Sequence, residues 1–319
     1  MIRAPDSPPP GQFPLVLRPL PNWARPASRQ PEREDAVDAA FLAGAGLAAL
    51  DSIVRANPPW AGVWRQRLAL TAAAASVKIA GRREDEATLR DAWCLRRPDQ
   101  DPGPAGRMLG AWRQLARSSG VSAELVGEAA TAFGLPADEG LSELVAAVQA
   151  PANGERPLVA AAEAATLVMA GRPEREILGL FIADAVLAQR LRWPVAVPLL
   201  AGQILHPALK TGGNGRRPRP GDSDWLRSAN LAFARAAASA CDLASELARR
   251  AEKLQAVAPK LRAKGAGAVI AAILNDDALT ASRIGSISDR ALRRLFDRLV
   301  TLGAIRELSG RDTFRLYGL

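Results

Sequence analysis

Residues 266–319 read AGAVIAAILNDDALTASRIGSISDRALRRLFDRLVTLGAIRELSGRDTFRLYGL, and no other stretch of the chain carries so specific a pattern. The segment opens on a short apolar helical run. A second helix is predicted to start at Thr280, followed by a turn at Gly285-Ser286 and a third helix capped by Ser288. In that third helix Leu292, Leu295, Phe296, Leu299 and Leu302 recur at helical spacing and form one apolar stripe. Arg290, Arg294, Asp297 and Thr301 fall on the opposite side, with Arg293 on the flank. Ser288 suits the N-cap because its hydroxyl can accept from an orphan backbone N–H, and Asp289 suits the positive helix end. Gly303 stands where a left-handed residue ends the helix. Two β-rich runs follow, 304–308 and 313–317, joined by Ser309-Gly310-Arg311-Asp312.

Three helices followed by a β-hairpin predict a winged helix-turn-helix domain. Its third helix, buried on one face and arginine-bearing on the other, has the form needed to enter a major groove. The hairpin brings Arg311 and Arg315 to where a wing reaches backbone phosphate. The candidate DNA contacts are therefore Ser288, Arg290, Arg293, Arg294, Arg311 and Arg315, with duplex DNA as the expected partner. Asp289 and Asp297 weaken the positive field of that face. The same pattern also fits a small helical domain with a solvated charged face, or a winged helix that docks protein.

Work outward from this segment and the chain becomes helical. Residues 1–34 are proline-dense and read as extended or disordered, although Phe13, Leu15, Leu17 and Trp23 are apolar enough for part to lie along the body. Residues 35–210 read as an all-α domain, with helices at about 36–56, 60–80, 83–95, 104–118, 122–133, 138–149, 158–170 and 174–192. Alanine-rich helices with few β-branched residues imply a bundle whose helices approach closely. Residues 211–221, with three arginines among glycines and prolines, read as a solvated flexible loop. Residues 222–265 read as a long connecting helix, interrupted at Pro259, that leads to the 266–319 domain. The fold class is thus mainly α, a multi-helix bundle followed by a C-terminal winged helix-turn-helix with a small β-hairpin.

The 319 residues carry a formal charge of +9 and a pI near 10.6, which suits nucleic acid or another polyanion. Most of the basic residues are Arg and the chain is rich in Ala, Gly and Pro. GC-rich codons specify these residues, so genome composition contributes to the basicity. Cys94 and Cys241 are too few and too far apart for a metal knuckle or a disulfide framework. No apolar run reaches membrane-spanning length without charge or proline, and a signal-peptide core is lacking at the start. A cytoplasmic protein that engages no membrane is the expectation, with a homodimer or protein partner through the helical domain.

Enzyme chemistry has one candidate locus, Arg82-Arg83-Glu84-Asp85-Glu86 through Arg90-Asp91 and Arg96-Arg97 to Asp99 and Asp101-Pro102-Gly103-Pro104-Ala105-Gly106-Arg107. Glu86 with Arg90 has ion-pair spacing on a helix, which accounts for most of the cluster without catalysis. Glu84, Asp85, Asp99 and Asp101 would serve a hard cation only if they converged. His206 lacks partners at a recognisable spacing, and phosphate-loop, dinucleotide and nucleophile-elbow patterns are missing. No cofactor, metal or catalytic residue is expected. The tryptophans at 60, 64, 93, 112, 193 and 225 read as core packing rather than base stacking.

The combination of Trp60-Ala-Gly-Val-Trp64-Arg65, Arg82 to Glu86 with Leu89-Arg90-Asp91-Ala92, Asp101 to Arg107, Ala258 to Ala266 and Phe314-Arg315-Leu316-Tyr317-Gly318-Leu319 resembles an uncharacterised bacterial family, a domain of unknown function of about this length. That resemblance covers nearly the whole chain and implies kinship without an activity. The C-terminal sixth separately resembles bacterial transcription regulators. The leading expectation is a DNA-binding protein. The alternatives are a protein-interaction adaptor and, behind it, an enzyme centred on residues 82–107. An exposed arginine face on the third helix favours the first, and burial of Arg290 and Arg294 the second. Convergence of the four acids would favour the third.

Overall fold

In the computed structural model the described residues are 17, 19–27, 35–97, 99–136, 140–149, 156–210, 215–261, 265–282, 284 and 287–319. They form a mainly helical protein with one small sheet. The first long helix, Ala36–Ala56 (α1), starts at Asp35, whose carboxylate accepts from the N–H groups of Val37 and Asp38. There follow Ala61–Ile79 (α2), Glu86–Cys94 (α3), Gly103–Leu115 (α4), Ala123–Ala132 (α5), Gly140–Gln149 (α6), Pro157–Met169 (α7), Glu176–Arg190 (α8) and the single turn Leu200–Gln203 (α9). Asp85 caps α3 by accepting from Thr88 N–H, and Pro104 occupies the first turn of α4. The eight helices expected between 35 and 210 are present, with ends shifted by a few residues.

The helix Trp225–Val257 (α10) corrects one expectation. Far from merely connecting two regions, it is a central packing element that runs along α1 and is backed by α9, α2 and α7. Ala229, Ala232, Phe233, Ala237 and Ala240 are fully buried, and Trp64 of α2 donates its indole N–H to the Ala240 carbonyl at 2.9 Å. Small side chains let the helix axes close up, which is why an alanine-rich sequence can bury so much backbone. Pro259 ends the helix in a short 3-10 turn, Ala258–Lys260. By length and composition α1 could cross a membrane, yet its Ala39, Leu42, Ala43, Leu47 and Leu50 are buried in this packing.

Two further expectations concern irregular segments. Leu20 and Ala24, in the part of the proline-dense stretch that is described, pack on Ala238, and Arg25 pairs with Asp242 at 2.7 Å. The remainder of residues 1–34 lies outside the described residues. Within 211–221, residues 211–214 also lie outside them, but Arg217 and Arg219 are half-buried and ion-paired rather than free in solvent. Both pair with Glu176, a buried carboxylate at the start of α8, with Arg219 at 2.6 Å. A buried acid demands cations, and these two arginines pin the loop to supply them.

Asp184 of α8 is fully enclosed and accepts from Leu199 N–H at 2.8 Å and Leu200 N–H at 3.0 Å, which holds the start of α9. Burial raises its carboxyl pKa to about 7, outweighing the two N–H bonds that lower it. The folded state therefore holds this proton more tightly than the unfolded chain, where an Asp titrates near ~3.9. Stability from this group is present at low pH and lost as pH rises from about 4 through about 7. Subtracting the urea midpoints of Asp184→Asn from those of the parent across that range should isolate this fall. A flat difference curve would reject it.

The chain ends in Ala266–Asn275 (α11), Leu279–Thr280 (β1), Asp289–Thr301 (α12), Arg306–Glu307 (β2) and Leu316–Gly318 (β3). The sheet is antiparallel in the order β1-β3-β2, with Leu279 opposite Tyr317 and Arg306 opposite Gly318. Thr280 therefore opens no helix. Its β-branched side chain sits in a strand, and its hydroxyl meets Ser282 Oγ at 2.9 Å instead of capping a helical N–H. None of the described residues between 281 and 288 is helical, and the expected turn at Gly285-Ser286 lies outside the described residues. The apolar core is continuous from the bundle into this segment: Val269, Ile273, Leu292, Phe296, Leu299 and Tyr317 join the cluster that contains Trp64 and Leu89.

Candidate nucleic-acid interface

Helix α12 is built as its residues dictate. Ser288 Oγ accepts from Ala291 N–H at 3.4 Å, and Asp289 occupies the first turn. At the other end Gly303 takes φ 61°, Gly303 N–H donates to Val300 and Ala304 N–H to Leu299. This is the Schellman closure, in which a left-handed residue reverses the chain so that β2 can begin. Leu292, Leu295, Phe296 and Leu299 are buried, and Phe296 stacks on Tyr317 of β3 with ring centroids 4.6 Å apart.

The opposite face is open. Arg290, Arg293 and Arg294 are exposed, and so is Arg298, which the sequence reading did not single out. None of these four makes an ion pair or hydrogen bond among the described residues. The signal for Arg298 was its place four residues beyond Arg294, one helical turn further along the same edge.

Between α12, the β2–β3 loop and the end of α3 lies a groove of about 810 Å³. Arg293 and Arg315 face it from the terminal segment and Arg96 and Arg97 from the bundle, together with Asp289, Asp297 and Asp312. Arg96 stacks on the Trp93 ring at 3.9 Å, which fixes its direction. The loop is shaped by Glu307, whose carboxylate accepts from Ser309 N–H at 2.8 Å and Gly310 N–H at 2.7 Å. Burial pushes the Glu307 pKa up, but these hydrogen bonds hold it below the usual range. Arg311, expected to meet only phosphate, is instead ion-paired with Asp91 of α3. Arg315 donates to the Arg311 carbonyl at 3.1 Å and lies 4.0 Å from Asp312.

The segment is seated on the bundle through the acidic turn after α11. Asp277 is buried and accepts from Arg67 of α2 at 2.8 Å and Arg90 of α3 at 2.6 Å. Arg113 of α4 pairs with Asp276 at 2.8 Å while lying over the Trp93 ring. Burial alone would raise the Asp277 pKa, and the two guanidiniums overcome it and hold the carboxyl below its ordinary value. This corrects the i,i+4 pairing read from sequence: Glu86 accepts from the Thr71 hydroxyl at 2.8 Å, and Arg90 turns to Asp277.

The 82–107 cluster does not converge. Glu84 pairs with Arg82, Asp85 caps α3, and Asp101 pairs with Arg107 and accepts from Gly103 N–H. Among the described residues there is no group of three His, Cys, Asp or Glu placed to hold a metal. Cys94 packs beside Ala278, and burial pushes its thiol up to about 12, so no reactive thiolate forms there. His206 accepts from Ala208 N–H at 3.1 Å and lies against Arg235; burial, and after it the Arg235 charge, lowers its pKa.

These features define a mainly helical protein whose terminal helix and small sheet are clamped to a bundle and present free arginines outward. The chain belongs to the family described as Protein of unknown function (DUF1403), whose model matches residues 15–319. No curated protein matches the chain.

Proposed function

We propose that this is a cytoplasmic DNA-binding protein, of the transcription-regulator kind, that uses residues 266–319 as a winged helix. The observation that carries the reading is the exposed, unpaired row of Arg290, Arg293 and Arg294 on a helix whose other face is locked in the core. Free guanidiniums on a rigid helix can fork onto guanine or neutralise phosphate without first breaking internal pairs. The order α11, β1, α12, β2, β3, with β3 central in the sheet, supports a wing made by the β2–β3 loop. Arg315 and the Ser288 hydroxyl border this face, whereas Arg311 would have to leave Asp91 to reach a phosphate. The net charge of +9 favours association with a polyanion. The helical domain offers an apolar strip of Trp23, Val37 and Phe41 on the outside of α1 to a second copy or protein partner.

The test is duplex binding by the full chain and by the triple variant Arg290→Ala/Arg293→Ala/Arg294→Ala. All three side chains point away from the core, so the fold should survive and binding should weaken. If they touch phosphate, the slope of log affinity against log salt should become shallower by about 2–3 units. If one reads guanine, a specific site should lose about 1–3 kcal/mol while random duplex changes little. A parent that shows no duplex affinity at about 50 mM salt, where non-specific binding is strong, would transfer the reading to a protein-docking adaptor.

A further inference from the structure

The two flanks of α12 differ in charge. On the wing side, Asp289, Asp297 and Asp312 face the same groove as the arginines, so a phosphate there meets repulsion as well as attraction. On the other side a groove of about 720 Å³ separates α12 from the 3-10 turn that ends α10. Its polar lining is Lys260, Arg294 and Arg298, with no acid among the described residues, above a floor of Pro259, Leu261, Ala291 and Leu295. All three cations are exposed, and none makes an ion pair or hydrogen bond among the described residues. Lys260, on the turn fixed by Pro259, faces Arg294 and Arg298 across this cleft, on a helix anchored by the Leu292, Leu295 and Leu299 stripe.

The geometry points to this cleft as a track for the phosphate backbone of a duplex, with Lys260, Arg294 and Arg298 as the phosphate contacts. The inference rests on the proposed DNA-binding face and extends it to the flank away from the wing. Like charges left facing one another in an open cleft raise the local potential, which strongly favours a polyanion that brings its own negative charge. An acidic protein segment would want a broad apolar floor to bury, and the floor here is limited to Pro259, Leu261, Ala291 and Leu295, of which Pro259 and Ala291 are small and exposed. A nucleic-acid backbone needs only the cations. On the wing side, Arg311 is paired with Asp91 and Arg315 lies near Asp312, so the all-cation flank is the stronger electrostatic edge.

The experiment titrates labelled random duplex with the full chain between about 50 and 200 mM salt, comparing the parent with Lys260→Ala/Arg298→Ala and with Arg311→Ala/Arg315→Ala. Neither pair includes a residue of the triple variant above. Two lost phosphate contacts should make the Lys260/Arg298 slope shallower by about 2 units, from a value near 0.9 per phosphate. The wing variant should change the slope less, by at most about 1 unit, because Arg311 is already held by Asp91 and only Arg315 remains to meet phosphate. Lys260→Gln/Arg298→Gln, checked for an unchanged melting temperature, guards against a trivial loss of fold and should reproduce the effect. A parent that binds while both Lys260/Arg298 variants keep its slope overturns the track and leaves the helix face standing. A parent that binds no duplex overturns both.

Discussion

Asp277→Ala should destabilise the protein by about 3–5 kcal/mol, the usual cost of removing one partner from a buried ion pair. The substitution strands two guanidiniums, Arg67 and Arg90, whose side chains are only 15% and 16% exposed. It also removes the contact that seats β1 on α2 and α3. Asp277→Asn keeps the shape but not the charge, and should recover only part of the loss. Because the folded Asp277 pKa lies below its ordinary value, its contribution is full above the unfolded pKa and fades as pH falls through the folded one. Parent and Asp277→Asn should therefore converge in stability as the solution is acidified. Gly62→Ala probes the same junction without touching charge. A Cβ there would come within 2.7 Å of Asn275 Cα, so α11 would have to lift off α2. Urea denaturation of the three variants is the measurement, and a midpoint for Asp277→Ala equal to the parent's would reject the clamp.

How much of this could be read beforehand depends on the range of the interactions involved. Helix α12 was legible because its information is local: the Leu292–Leu295–Phe296–Leu299 spacing, the Ser288 cap and Gly303 lie within one short stretch. The helices between 35 and 210 were legible for the same reason, since proline and glycine punctuate the chain where they end. The strand at Leu279-Thr280 was not. Two residues are too few for an alternation to register, and their state is decided by Leu316 and Tyr317, far along the chain. The ion pairs were hidden in the same way. Arg90 had a plausible partner at Glu86, but Asp277, buried among arginines, offers the stronger field in a low-dielectric setting. Arg217 and Arg219 looked like loop charges because Glu176, their partner, sits more than forty residues earlier. At the candidate site, the row Arg290, Arg293 and Arg294 was legible from helical phase. Arg311's engagement by Asp91 and the facing of Lys260 with Arg298 required the tertiary arrangement.

Phe296→Ala should cost about 3–5 kcal/mol, the range for emptying a buried aromatic position. Phe296 is fully buried and stacks on Tyr317, so truncation removes both the packed volume and the ring pair that ties α12 to the central strand β3. Where that loss is felt tests the organisation of the chain. Residues 266–319 read alone as a separate domain, which would melt ahead of the helices. The continuous core and the Asp277 clamp instead couple α12 and β3 to α2 and α3. The variant should then lower the melting of the bundle along with the terminal segment, and amides of α2 and α3 should exchange faster in step with those of α12. Val300→Ala, on the exposed side of the same helix, is the control and should stay within about 0.5 kcal/mol of the parent. Faster exchange confined to residues 266–319, with α2 and α3 still protected, would show that the terminal segment unfolds by itself. In that case the arginine face would ride on an autonomous module, and the bundle would not hold it in place.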